Sequence, residues 1–147
     1  YLGGDGNMSN LLYQPAGGSR IPATEESVKN KLHTIHMEGN EVYKHAVNAM
    51  ADAAVKALEM AGIKGEDITY FIPHQANIRI IETTAKFVNV PMEKVFVNID
   101  RTANTSAGTI PTALDEMNRK GMLKKNDIIL IDAFGAGFAW GAAVIRW

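Results

Sequence analysis

Two short segments carry side chains of the types and placing that chemistry needs: Phe71-Ile72-Pro73-His74-Gln75-Ala76-Asn77 and, further along, Asn104-Thr105-Ser106-Ala107-Gly108. Each sets polar groups just past an apolar run that reads as a buried strand, and strand ends are where open α/β sheets bind ligands. His74 offers an imidazole N–H and Asn104 a carboxamide N–H. The chain contains no cysteine. The pair therefore reads as part of an active site, the half that lacks the nucleophile.

The elements that must position these groups alternate along the chain. Residues 1–31 are rich in Gly, Asn, Ser and Pro and read as connector and loop, with one short strand at residues 11–13. Residues 32–37 read as a strand. Over residues 40–60, Val42, Ala46, Val47, Met50, Ala54, Val55 and Leu58 recur at helical period, and Gly62 stands where a helix C-cap belongs. A strand at 68–72 precedes a helix at 78–88 with Ile78, Ile81, Ala85 and Val88 on one face. A strand at 95–99 precedes a helix at 106–119 that tolerates Pro111 near its start, where a missing N–H costs little. Strands at 127–133 and 138–147 flank Phe134-Gly135-Ala136-Gly137, a connection short enough for an antiparallel hairpin. The sum is an α/β domain over residues 32–147: a five-stranded, mostly parallel mixed sheet with an antiparallel edge strand and helices on its faces.

Composition bounds the function. The 147 residues, 46% apolar, suffice for one buried core. Fifteen basic against 16 acidic residues give no broad electrostatic footprint for nucleic acid or an anionic membrane. The absence of cysteine excludes a disulfide framework and thiolate metal sites and fits a reducing, cytoplasmic setting. No metal and no bound cofactor are expected. The uncharged run at residues 133–145 is too short to span a bilayer and carries Gly135, Gly137 and Gly141. The chain opens Tyr1-Leu2-Gly3-Gly4 without an initiator methionine or a signal-like segment, and reads as a fragment or processed product.

In order along the chain, Gly39-Asn40-Glu41-Val42-Tyr43-Lys44, Pro73-His74-Gln75-Ala76-Asn77-Ile78-Arg79-Ile80, Asn104-Thr105-Ser106-Ala107 and residues 133–141 resemble the C-terminal half of β-ketoacyl-[acyl carrier protein] synthase III, a thiolase-fold condensing enzyme. The resemblance covers essentially the whole chain. It implies one half of an enzyme that condenses acetyl-CoA with malonyl-[acyl carrier protein] to begin type II fatty acid synthesis, working as a homodimer, with its nucleophilic cysteine in the N-terminal half. Decarboxylation of the malonyl thioester leaves an enolate, and His74 and Asn104 match the residues that donate hydrogen bonds to it. The backbone N–H of Ala136 corresponds to part of the oxyanion hole used in acyl transfer. Asn40, Asn77 and Phe134 match residues lining the pantetheine tunnel and its end. Lys44, Arg79 and, more weakly, Lys86 match basic positions that receive the acidic carrier protein. Thr102-Ala103 departs from the family, where a glycine commonly precedes the asparagine. If that glycine uses a positive φ, Ala103 strains the loop.

Other readings stand beside these. A lone histidine after a strand is usually structural, and His33, His36 and His45 stay in that class. Asn104 also begins a glycosylation sequon and a natural helix cap. Unaided, Arg79, Glu82 and Lys86 read as a solvated salt-bridge stripe on one helix face. Phe134 has an equal claim as a core aromatic. Besides the synthase III reading there remain another thiolase-fold ketosynthase of polyketide or quinolone type, and a non-catalytic binding or dimerisation module.

Overall fold

A computed structural model describes residues 1–147. In chain order its elements are β1 (Leu2–Gly4), β2 (Leu12–Tyr13), α1 (Glu25–Lys29), β3 (His36–Met37), α2 (Gly39–Ala61), β4 (Tyr70–Pro73), α3 (Ile78–Phe87), α4 (Ile99–Thr102), α5 (Thr109–Arg119), β5 (Ile128–Gly135) and β6 (Ala139–Arg146). The main sheet has the order β1-β6-β5-β4, and β2 pairs with β3 in a small antiparallel ribbon.

The helices form where the apolar period demands. In α2, Val42, Ala46, Val47, Met50, Ala53, Ala54, Ala57 and Leu58 are buried. The four alanines among them let the helix axis approach the sheet closely. The helix stops at Gly62, whose φ of 64° and ψ of 30° allow its N–H to reach Glu59 O, while Ile63 N reaches Leu58 O. Helix α3 begins at Asn77, which lies in extended conformation and accepts a hydrogen bond from Arg79 N, as an N-cap should. A single 3-10 turn, Ser106–Gly108, leads into α5, with Pro111 in the first turn.

The sheet is covered on both faces. On one, Leu130 and Ala142 pack with Phe71 against Ala53, Ala57 and Leu58 of α2 and Ile81 and Ala85 of α3. On the other, Ile72 and Ile129 pack against Ala113 and Met117 of α5. Each large aliphatic or aromatic side chain so buried contributes about 1.5–3 kcal/mol of transfer free energy. Phe71, Ile72, Ile129 and Leu130 are wholly buried, so the middle of β4 and β5 carries the core.

The α/β class is observed, with differences in the strands. The sheet has four strands, not five. Residues 95–99 form only one bridge, Phe71 with Val95, together with Phe96 N to Phe71 O at 2.8 Å. From Asn98 onward their amides turn to a side chain described below, which ends the ladder. Of residues 32–37 only His36–Met37 is strand, and it lies in the small ribbon. The fourth strand of the sheet comes instead from a stretch read as loop: Leu2–Gly4 pairs antiparallel with residues 139–141 of β6. The hairpin β5–β6 is antiparallel as expected, in register from Ile128↔Arg146 to Gly135↔Ala139. Yet β6 is an inner strand, and β1, β5 and β4 all run opposite to it. The sequence hid β1 because two of its three residues are glycine, a residue disfavoured in strands. Packing accounts for one of them: a Cβ on Gly3 would lie 2.3 Å from Nε1 of Trp140.

A short helix inside the supposed connector was also missed. Thr24 and Ser27 form a capping box around the start of α1, each side chain bonding the other's backbone N–H. On α3, Ile78 is 41% exposed and Ile80 takes its place in the core.

Candidate active site

His74 follows directly on β4. Its backbone N–H donates to Asp132 O at 2.7 Å and prolongs the β4–β5 ladder by one bond. Its ring lies beside the start of α5, with Nδ1 3.1 Å from Oγ1 of the buried Thr109. That hydroxyl is in turn 3.3 Å from Oγ1 of Thr105. Nε2 has no partner within the chain. Burial pushes the imidazole pKa below its ordinary value, so the ring is neutral at pH 7 and carries one N–H.

Gln75 holds the two halves of the site together. It is fully buried. Its Nε2 donates to Pro73 O at 2.9 Å and Phe96 O at 3.1 Å, and its Oε1 accepts from Asn98 N at 2.9 Å and Ile99 N at 3.2 Å. All four hydrogen-bonding positions of the amide are thus used, and one side chain ties the His74 turn to the segment leading into α4.

That segment is pinned from below as well. Asn98 Nδ2 donates to Glu116 Oε2 at 3.1 Å, and Arg101 Nη2 donates to Glu116 Oε1 at 2.7 Å. Lys120, with Asn98 and Arg101, holds the Glu116 carboxyl down to about 2. At the end of α4, Ala103 adopts φ 54° and ψ −163°, a region almost reserved for glycine. The strain anticipated at this departure from the family pattern is present. Asn104 follows on an exposed loop, where its Oδ1 accepts from Ser106 N at 2.9 Å and its Nδ2 makes no hydrogen bond. The expected helix-capping role is not met: Thr105 precedes the 3-10 turn and Gly108 precedes α5, neither with a side-chain cap, and Asn104 instead closes an Asx turn on Ser106 while its carboxamide N–H stays free.

His74 and Asn104 do not bond each other. They are brought to one end of the sheet by Gln75 and by the run from Thr109 to Thr105, the residue beside Asn104. Two nitrogens without partners stand here, Nε2 of a neutral ring and Nδ2 of an amide, and a nitrogen of either kind that carries hydrogen can donate to developing negative charge.

The remaining predicted residues fall around this end of the sheet. Ala136 is exposed in the β5–β6 hairpin, and its backbone N–H has no partner in the chain. Close by in the chain, Phe134 packs against the cluster formed by Ala46, Val47 and Met50 of α2 and Ile80 of α3, with its ring 4.8 Å from that of Phe138. It is therefore a core aromatic that also joins the hairpin to both helices. Asn40 is exposed in the first turn of α2, and Asn77 is exposed with its Oδ1 spent on the cap of α3. Lys44 is exposed and paired with Glu41 at 2.7 Å. Arg79 and Lys86 are exposed on α3, and no ion pair forms between either of them and Glu82. The salt-bridge stripe is absent, so Arg79 has no carboxylate partner. Of the other histidines, His36 lies against Tyr13 and His45 against Phe138, each at 5.8 Å between ring centres.

Three residues of the site gave no signal of their own in the sequence. Gln75 and Thr109 act across long loops, and a period of apolar residues says nothing about them. The third is Asp132. It is buried on β5, its two carboxylate oxygens have no hydrogen-bond partner, and burial raises its pKa well above the usual carboxylate range against a weaker opposing pull from Ala133 N–H. It stands inside an apolar run, Ile128-Ile129-Leu130-Ile131-Asp132-Ala133, where only its charge type sets it apart.

Comparison with known proteins places the chain. Residues 58–147 match the family described as 3-oxoacyl-[acyl-carrier-protein (ACP)] synthase III C terminal. Over all 147 residues the chain is 53% identical to a β-ketoacyl-[acyl-carrier-protein] synthase III of Caldanaerobacter subterraneus subsp. tengcongensis, covering 44% of that protein. It is 48% identical to the protein of the same name from Clostridioides difficile, covering 45% of it. Among solved structures it superposes on 3-oxoacyl-[acyl-carrier-protein] synthase III of Aquifex aeolicus with a TM-score of 0.86 at 39% identity, over 100% of this chain and 43% of that one. It also superposes on the priming β-ketosynthase of the R1128 polyketide pathway with a TM-score of 0.82 at 32% identity, over 99% of this chain and 43% of that one. The chain spans less than half the length of the relatives it matches. With the family matched over more than half its residues and the fold matched throughout, the chain belongs to the C-terminal family of 3-oxoacyl-[acyl-carrier-protein] synthase III.

Proposed function

We propose that this chain supplies the decarboxylation half of a condensing enzyme that joins acetyl-CoA to malonyl-[acyl carrier protein], in a cytoplasmic homodimer whose nucleophilic cysteine lies outside these 147 residues. The observation that carries the reading is His74: a half-buried, neutral imidazole with one nitrogen engaged by Thr109 and the other without a partner. A neutral ring donates a hydrogen bond without protonating the oxygen it meets. That is what an enolate formed by loss of carbon dioxide requires, and the unbonded Nδ2 of Asn104 is the second donor.

The proposed division of labour is supported by which donors are free. Acyl loading needs an oxyanion hole of backbone N–H groups, and Ala136 N–H is free to join one. Decarboxylation needs His74 and Asn104. The CoA and pantetheine thioesters are substrates here, and no resident cofactor takes part. Asn40, Asn77 and Phe134 line the approach, and Lys44, Arg79 and Lys86 form the basic rim for the carrier.

The test uses the full-length enzyme that contains this chain. His74→Ala and Asn104→Ala are each expected to lower malonyl decarboxylation by about 100- to 1000-fold, while transfer of labelled acetyl onto the cysteine falls far less. Equal collapse of both half-reactions in both variants would overturn the assignment.

A further inference from the structure

We infer that Thr109 is a positioning residue that fixes which nitrogen of His74 carries the hydrogen. The inference deepens the reading of His74 as an enolate donor and rests on it.

A neutral imidazole has one N–H and one lone pair, and the hydrogen bond at one nitrogen decides the state of the other. Here the only side-chain partner of the ring is Thr109 Oγ1, 3.1 Å from Nδ1. Thr109 is 2% exposed, so bulk water does not compete for its hydroxyl. The only other side-chain contact of that oxygen is Thr105 Oγ1 at 3.3 Å, and Thr105 lies on the exposed loop next to Asn104.

Two directions are available to this chain of hydrogen bonds. If the ring donates from Nδ1, Thr109 passes its hydrogen to Thr105, and Nε2 is left as a lone pair that would repel an enolate oxygen. If Thr105 donates to Thr109, the Thr109 hydrogen goes to Nδ1, and Nε2 must carry the N–H. Only the second makes His74 a donor at its free nitrogen. The exposed Thr105 hydroxyl can accept from water while it donates inward, so every oxygen in the run is satisfied. The first residue of α5 thereby sets the chemistry of a ring at the end of β4, and the same run reaches the loop that holds Asn104.

The experiment is ring-nitrogen NMR on the full-length protein labelled with ¹⁵N-histidine, the His74 signals being assigned by their loss in His74→Gln. The wild type is expected to show an unprotonated Nδ1 and a protonated Nε2. In Thr109→Val, which keeps the shape and removes the hydroxyl, the two signals are expected to shift toward each other as the second tautomer gains population. The kcat for malonyl decarboxylation is expected to fall about tenfold, the worth of one neutral hydrogen bond, with KM unchanged. Thr109→Ser is expected to restore both readings, and Thr109→Ala, which also lacks the hydroxyl, takes the place of the valine variant should that one not fold.

A wild-type ring protonated at Nδ1 overturns the inference and, with it, the donor role of His74. An Nε2–H ring that is indifferent to Thr109→Val, in an enzyme that still needs His74, overturns the role of Thr109 alone. A serine variant with the tautomer mixture of the valine one also overturns it.

Discussion

Gln75 Oε1 accepts the backbone N–H of Asn98 at 2.9 Å, joining the turn that carries His74 to the segment that carries Asn104. His74 and Asn104 are thus held at a common end of the sheet through one buried amide, with no bond of their own.

Replacing that amide should damage the fold and the site together. Gln75→Leu leaves Asn98 N–H, Ile99 N–H, Pro73 O and Phe96 O without their partner. Each unpaired buried group costs about 1–3 kcal/mol before the loop relaxes. The expected loss in urea unfolding is about 3 kcal/mol, and a loss under about 1 kcal/mol would show that the segment is held by other contacts.

Ala103 offers the opposite change. Its φ of 54° with ψ of −163° costs about 1–3 kcal/mol in a residue with a Cβ, more than the extra chain entropy that glycine loses on folding. Ala103→Gly is expected to raise stability by about 1 kcal/mol, read as an increase in Tm. A lower Tm would mean that the loop gains from a stiffer unfolded chain instead.

Much of this architecture is legible in the sequence, and the reason it stops where it does is physical. Helix α2 announces itself through repeated apolar positions and a C-terminal glycine, signals that are local. The identity of His74 and Asn104 is legible for the same reason, as each stands beside a short motif. The short strand expected at residues 11–13 is present as β2, whereas β1 is not legible, because a Leu-Gly-Gly segment becomes a strand only through the partner that β6 provides. Gln75 and Thr109 are equally silent: their bonds span 23 and 35 residues, and nothing near them in the chain reports where those partners fold.

Asp132 predicts a pH dependence. Burial raises its folded pKa above the unfolded value, so between the two the native state binds more protons than the unfolded state. Its contribution is fully present below the unfolded pKa and is lost as pH rises toward the folded one. In Asp132→Asn, which keeps the shape and cannot ionise, this loss is expected to vanish, and the variant's advantage in urea midpoint should grow as pH is raised from about 4. A constant difference between the two proteins across that range would show that the carboxyl has a partner.

The residues proposed for the basic rim are of two kinds. Lys44 is already neutralised by Glu41, whereas Arg79 has no ion pair. Arg79→Glu is therefore expected to weaken turnover of the carrier-bound substrate more than Lys44→Glu does, with little change for the CoA thioester, because steering acts on the charged protein surface. The deficit should shrink as salt is added. An equal loss for both thioesters would place Arg79 in the common tunnel.

The pairing of β1 with β6 makes the opening of the chain part of the sheet that carries the β5–β6 hairpin. Leu2–Gly4 lies against residues 139–141, and Asp5 and Phe138 exchange both of their backbone hydrogen bonds, at 2.7 and 2.8 Å. The free N–H of Ala136 therefore stands two residues from a clamp between distant parts of the chain. A side chain at Gly3, whose Cβ would meet Trp140 at 2.3 Å, would be felt at the hairpin through that clamp.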